Sequence, residues 1–227
     1  QACSKIVYRF PNTLTNSLAE ICAEIVENYE HELADALMKM GVRKGSHVAL
    51  VTPNSSGFVL SWFAIAKIGA VMVPVNPTYT VRELVYVLSD SDATFLIYDP
   101  MFEAVVEAVA DDSVRITQER MIVLGAKSAS PGYGFDALLA SGQAPFVSPV
   151  EVKASDLLSI QYTSGTTGFP KGAVLSHRGL VNNARFYAGR CEATEATTWV
   201  NIMPMFHTSG CGMVTLGCLQ AGCRMVL

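Results

Sequence analysis

Short apolar runs separated by helical segments, at a nearly regular pitch, constrain this chain more than any other feature. His47-Val48-Ala49-Leu50-Val51, Val71-Met72-Val73, Thr94-Phe95-Leu96-Ile97-Tyr98 and Met121-Ile122-Val123-Leu124 are almost continuously apolar and do not alternate with polar residues. A strand apolar on both sides is buried on both sides, as in a parallel sheet enclosed by helices. The intervening segments read as helices. Residues 34–40 close one, with Leu33, Leu37 and Met40 at helical spacing and Gly41 as its stop. Residues 56–68 form the next. Thr80 caps a third over 81–88, with Glu83 at the third helical position completing a capping box, and a fourth covers 102–110. The repetition predicts the α/β class, with mostly parallel sheets covered by helices on both faces. Residues 127–149, rich in Gly, Ser, Pro and Ala, predict a surface crossing with one short helix at 136–140.

The longest apolar stretch, 58–75, invites a membrane reading. It carries Lys67 in its middle, then Gly69 and Pro74, and so predicts a buried helix followed by a buried strand. Half of the 227 residues are apolar and 16% are charged, which excludes intrinsic disorder. The net charge of -4 offers no footprint for nucleic acid or an acidic membrane. The six cysteines form no C-x-x-C pair and no zinc spacing, so no metal ligands are expected among them. Reduced thiols in a cytoplasmic protein are the expectation instead. Asn54-Ser55-Ser56 fits the glycosylation triplet, but with no secretion signal it reads as chance. Gln1 reads as a cut or processed end.

The chemistry-bearing stretch is Tyr162-Thr163-Ser164-Gly165-Thr166-Thr167-Gly168-Phe169-Pro170-Lys171-Gly172. Four aliphatic hydroxyls, three glycines and one lysine stand between the apolar segments 157–162 and 173–175. Glycines let backbone N–H groups approach a ligand closely, hydroxyls add donors, and Lys171 adds a mobile cation. Such a loop suits a polyphosphate, whose oxygens need many converging donors. It is not a Walker A loop, in which Gly precedes the Lys, Ser or Thr follows it, and a helix opens there. Here Pro170 precedes Lys171, Gly172 follows, and Ala173-Val174-Leu175 predicts a strand.

With this loop the chain resembles the acyl-adenylate-forming enzymes: acyl-CoA synthetases, peptide-synthetase adenylation domains and luciferases. Further segments in the family's order are Gly41-Val42-Arg43-Lys44-Gly45, Ile68-Gly69-Ala70-Val71-Met72-Val73-Pro74-Val75-Asn76-Pro77, Leu175-Ser176-His177-Arg178-Gly179-Leu180 and Met203-Pro204-Met205-Phe206-His207. The resemblance covers residues 34–227. It implies that a carboxylate attacks the α-phosphate of ATP, that pyrophosphate leaves, and that the acyl group passes to a thiol, usually that of coenzyme A. It further implies that Thr163, Ser164, Gly165, Thr166, Thr167, Gly168, Lys171 and Gly172 hold the phosphates. Lys171 would follow the charge as the leaving group departs.

His207 lies in Pro204-Met205-Phe206-His207-Thr208-Ser209-Gly210. A lone His among apolar neighbours is usually a core residue, but the resemblance implies that this segment lines the acyl site beside the reacting carboxylate. Amino-acid-activating relatives carry Asp here to pair the substrate's ammonium. No carboxylate lies within three residues of His207, and an unpaired ammonium in a low-dielectric site costs on the order of several kcal/mol. A fatty or aryl acid is therefore expected, with Gly210 and Gly212 leaving space beside it. His177 and Arg178 read as the cap and first turn of a helix, and Met203, Met205 and Met213 as core or site wall.

The family's later parts are an adenine-binding strand, a Thr-Glu pair for magnesium, a ribose-binding Asp and a mobile C-terminal domain with a second lysine. None occurs up to Leu227, so magnesium ligands are expected beyond residue 227. The chain reads as an incomplete N-terminal domain, inactive alone, with residues 1–33 the least family-like part. Ser46 stands where the family commonly has Asp. The alternatives are an amino-acid adenylation domain, a truncated nucleotide-binding module without turnover, and a non-catalytic scaffold.

Overall fold

The computed structural model describes residues 29–110, 116–125, 133–143, 146–163 and 170–227. Seven strands form one sheet in the order β5-β4-β3-β1-β2-β6-β7. They are β1 (His47–Val51), β2 (Val71–Pro74), β3 (Phe95–Tyr98), β4 (Met121–Val123), β5 (Tyr133–Gly134), β6 (Leu157–Thr163) and β7 (Lys171–Ser176). Every pairing among them is parallel except β6 with β7, which run antiparallel as a hairpin at the edge. The expected α/β class is therefore the observed one. Residues 171–176 are a strand, as expected, and not the helix that a Walker A loop would open.

Both faces of the sheet are covered, and strand periodicity decides which residue goes where. Val48 and Leu50 of β1 join Met72, Phe95, Ile97, Ile122 and Leu158 on one face. Ala49 and Val51 join Val71, Val73, Leu96, Tyr98 and Val123 on the other. The first face is closed by α1 (Tyr29–Lys39), α2 (Ser56–Lys67) and α5 (Phe135–Ser141). The second is closed by α3 (Val81–Asp90) and α4 (Glu103–Ala110). Ser55 caps α2 by accepting from Phe58 N at 3.1 Å, and the predicted Thr80–Glu83 capping box opens α3. Gly41 ends the α1 region at φ +100°, a left-handed conformation that glycine adopts without strain.

The 58–75 run folds as predicted, into α2 and then β2. Among the described residues no helix is long and apolar enough to cross a membrane. Lys67 is tolerated at the buried end of α2 because Glu30 lies 3.6 Å from its ammonium and His31 Nε2 lies 3.1 Å away. The helix foreseen at 136–140 is α5. Its Phe135 and Leu138 are buried in the core, so that crossing does more than skim the surface.

After the hairpin, α6 (His177–Arg190) begins at once, with His177 and Arg178 in its first turn and Ser176, one residue earlier than expected, as its cap. A second, two-stranded parallel sheet pairs β8 (Thr198–Val200) with β9 (Arg224–Val226). Between them run a π-helical segment, Ser209–Thr215, and α7 (Leu216–Ala221).

Candidate functional site

The hairpin places its two ends where a ligand can be reached. Thr163 ends β6 directly opposite Lys171, the first residue of β7, and both are exposed. Ser164, Gly165, Thr166, Thr167 and Gly168 lie outside the described residues. Among the described residues no acid pairs with Lys171 Nζ.

The root of the hairpin is held against α3. Tyr162 donates from its hydroxyl to Asp90 Oδ2 at 2.6 Å and meets Tyr86 edge-on at 6.5 Å. Tyr86 in turn donates to the carbonyl of Pro170 at 3.1 Å, so both strands are fastened to one helix. Burial, followed by the Asp90 carboxylate, drives the Tyr162 hydroxyl far above its ordinary range and keeps it a donor. Gly172 lies under this ring. A Cβ there would stand 2.8 Å from Ile160 Cγ2 and 3.2 Å from Tyr162 Cζ. Gly172 thus serves close packing at the root of the loop.

His207 is exposed. Its backbone N–H donates to the Pro204 carbonyl at 3.1 Å, closing a tight turn. Its own carbonyl accepts from Gly210 N at 3.0 Å and Cys211 N at 3.1 Å, which makes it the entry residue of the π-helical segment. Nδ1 receives the Ser209 backbone N–H at 3.2 Å, with the Ser209 hydroxyl 2.7 Å away. A backbone N–H can only donate, so Nδ1 is an acceptor and the neutral ring carries its proton on Nε2. No described residue bonds to that outward nitrogen.

Gln161 joins the two halves. It is buried on β6, two residues before Thr163. Its Oε1 accepts from the Thr208 hydroxyl, and its Nε2 donates to Cys211 Sγ at 3.0 Å. Burial pushes the Cys211 thiol up to about 12, so it stays neutral, an acceptor and not a nucleophile. The residues flanking His207 are thereby tied to the strand that leads into the Ser/Thr/Gly loop. In open parallel sheets, ligands sit outside the carboxyl ends of the strands, and Thr163 is such an end.

The expected space beside Gly210 and Gly212 is not there. A Cβ on Gly210 would lie 2.2 Å from the Pro204 carbonyl oxygen, and one on Gly212 would lie 2.8 Å from Leu180 Cδ2. Gly210 instead lets the Met203-Pro204 backbone press onto the π-helical segment. Gly210→Ala is expected to cost about 1–3 kcal/mol of stability through overpacking, read as a lower denaturation midpoint of the intact protein; an unchanged midpoint would mean that the backbone yields freely. Met205 is buried as foreseen, whereas Met203 is exposed.

Sequence reasoning missed Asn54 and Gln161. Asn54 stands just beyond the end of β1, and its amide bonds to Met203 and Met205. Its position after a central parallel strand was the one available signal.

The chain belongs to the AMP-binding enzyme family, whose model matches residues 26–227. It is 33% identical over 216 residues to YngI of Bacillus subtilis (strain 168), covering 86% of this chain and 39% of that protein. It is 31% identical over 197 residues to the crotonobetaine/carnitine–CoA ligase of Escherichia coli (strain K12 / DH10B), covering 86% and 38%. Among solved structures, the long-chain-fatty-acid–CoA ligase FadD1 of Archaeoglobus fulgidus superposes with a TM-score of 0.83 at 28% identity, covering 99% of this chain and 49% of that one. The chain thus spans about two-fifths of the length of these curated relatives.

Proposed function

We propose that the protein carrying this chain activates a fatty or aryl carboxylic acid with ATP and passes the acyl group to coenzyme A. The observation that supports this best is the shared anchor at Gln161. It ties an outward-facing imidazole N–H to the strand that enters the Ser/Thr/Gly/Lys loop. In this reading a carboxylate oxygen bonds to the α-phosphorus while the bond to the bridging oxygen breaks and pyrophosphate departs. Thr163, Ser164, Thr166, Thr167 and the loop N–H groups receive the β- and γ-phosphates. Lys171 meets the charge that develops on the leaving group, where preorganised donors act mainly on the transition state. His207 Nε2–H donates to the carboxylate and then to the acyl phosphate. The coenzyme A thiol next attacks the acyl carbon and AMP leaves.

The family relationship supports nucleotide use, and the absence of any acid in residues 204–210 supports a substrate without an α-ammonium. Among the described residues no three His, Cys, Asp or Glu side chains gather where a metal could sit.

ATP–pyrophosphate exchange with a panel of acids tests the proposal. Fatty or aryl acids are expected to support exchange and free amino acids are not. A best substrate among the amino acids would overturn the reading of His207. His207→Ala should slow the acyl step by about tenfold to a hundredfold, the range for one hydrogen bond to a charged group, and leave ATP binding largely intact.

A further inference from the structure

Asn54 sits in the turn between β1 and α2, three residues past Val51 and directly before the helix cap Ser55. Its amide is fully used, and all on one segment. Nδ2 donates to the Met203 carbonyl at 2.8 Å and reaches the Asn201 carbonyl at 3.4 Å, while Oδ1 accepts from the Met205 N–H at 2.7 Å. Bonding the carbonyl before Pro204 and the N–H after it is the pattern a neighbouring strand makes in a parallel ladder. One side chain therefore does for this segment what the sheet does for its strands. Such use of the amide nitrogen also gives the Asn54-Ser55-Ser56 triplet a structural role of its own.

The segment needs that hold. Ile202, Met203 and Pro204 are exposed, and no strand runs through them. Past Met205, the Pro204 carbonyl closes the turn onto His207 N, and Thr208 is caught by Gln161. His207 is thus suspended between two fixed points, Asn54 acting at Met205 and Gln161 acting at Thr208. From Met205 to His207 is two residues, at most about 7 Å of chain, so a shift at the first point reaches the imidazole nearly undamped.

We infer that Asn54 is a positioning residue of the acyl site, setting where the His207 Nε2–H meets the substrate carboxylate; this rests on the role proposed above for His207. The turn that carries Asn54 is itself stiff, since Ser55 caps α2 and lies 3.3 Å from the Thr52 hydroxyl. Displacing a reacting group by about 1 Å can cost about a hundredfold in rate, whereas the phosphate loop is anchored separately through Tyr162 and Tyr86. Loss of the Asn54 amide should therefore touch the acid half of the reaction and spare the nucleotide half.

The test uses Asn54→Ala and Asn54→Asp in the intact protein, with active sites counted by the burst of acyl-adenylate. Asn54→Asp keeps the acceptor for Met205 and loses the donor to Met203, and it guards against a misfolded alanine variant. Expected is a fall of about tenfold or more in kcat/KM for the acid, with KM for ATP changed by less than about twofold. Faster amide hydrogen exchange at Met205 should accompany it, and Asn54→Asp should lie between wild type and Asn54→Ala. Equal changes for acid and ATP, or unchanged per-site constants with only less folded protein, would overturn the role of Asn54 and leave the proposed activity standing. Failure of the wild-type protein to exchange pyrophosphate with any acid would overturn the activity, and this role with it.

Discussion

Lys171→Ala in the intact protein is expected to slow acyl-adenylate formation by about a hundredfold or more, the scale for losing one donor aimed at developing charge. Lys171 stands exposed as the first residue of β7. No described acid pairs with it, although Asp90 lies close to the same hairpin and is taken by Tyr162. Its backbone is held all the same, paired across the hairpin with Thr163 and following Pro170, whose carbonyl receives Tyr86. A fixed root with an ammonium that no described acid holds can track a leaving group whose charge moves during reaction. Ground-state affinity for the acid should change much less, since the acid does not meet this cation. Single-turnover pyrophosphate release measures the step directly, and an unchanged rate would remove the role. Lys171→Arg should restore only part of the rate, because a planar fork cannot occupy the place of a compact ammonium.

Much of the fold was legible because it depends on local patterns. Continuous apolarity in 47–51 and 94–98 marked strands buried on two faces, and each strand then sent alternate residues to opposite layers. The Thr80–Glu83 box and the Gly41 stop are contained within a few residues, so local chemistry settles them. The position of the Ser/Thr/Gly loop between two strands followed from the apolar runs on either side. The antiparallel direction of β7 was also within reach, because the connection from Thr163 to Lys171 is too short for a parallel crossover. What lay beyond reach was long-range. Asn54 meets Met205 across a separation of 151 residues, and Gln161 meets Thr208 across 47. An amide side chain in a sequence carries no mark of the backbone it will bond. Gly210 was misread for a related reason: a missing side chain looks like room until the fold shows that the Pro204 carbonyl fills it. Lys67 broke an apolar run in the sequence, and only the fold supplied Glu30 and His31 to receive it.

Acidification should loosen the junction between the hairpin and α6 well before the surface carboxylates titrate. His177 is buried as the first residue of α6, immediately after β7. Burial, more than any neighbouring charge, holds its imidazole at about 4, below the ordinary 6.5; Asp156 pulls the value up and Lys44 pushes it down. Asp156 cannot fully compensate, because its carboxylate is already committed to Lys44 at 2.6 Å and to the Lys153 N–H at 2.8 Å. The positive end of α6 also opposes a charge placed in its first turn. Because the folded value lies below the unfolded one, the unfolded chain takes the proton first. This contribution is therefore complete above about pH 6.5 and is lost as the pH falls from there towards 4. The loss approaches about 3 kcal/mol, at about 1.4 kcal/mol per tenfold difference in proton affinity. Denaturation midpoints of the intact protein measured between pH 8 and pH 4 should fall across this window, and His177→Asn, which cannot titrate there, should fall less steeply. A wild-type imidazole seen by NMR to titrate near 6.5 while the protein stays folded would show that the site accepts the charge. The fall across this window would then have to come from groups other than Asp156, whose hydrogen bond to Lys44 holds it below the usual carboxylate range, so that its contribution is lost only below about pH 4.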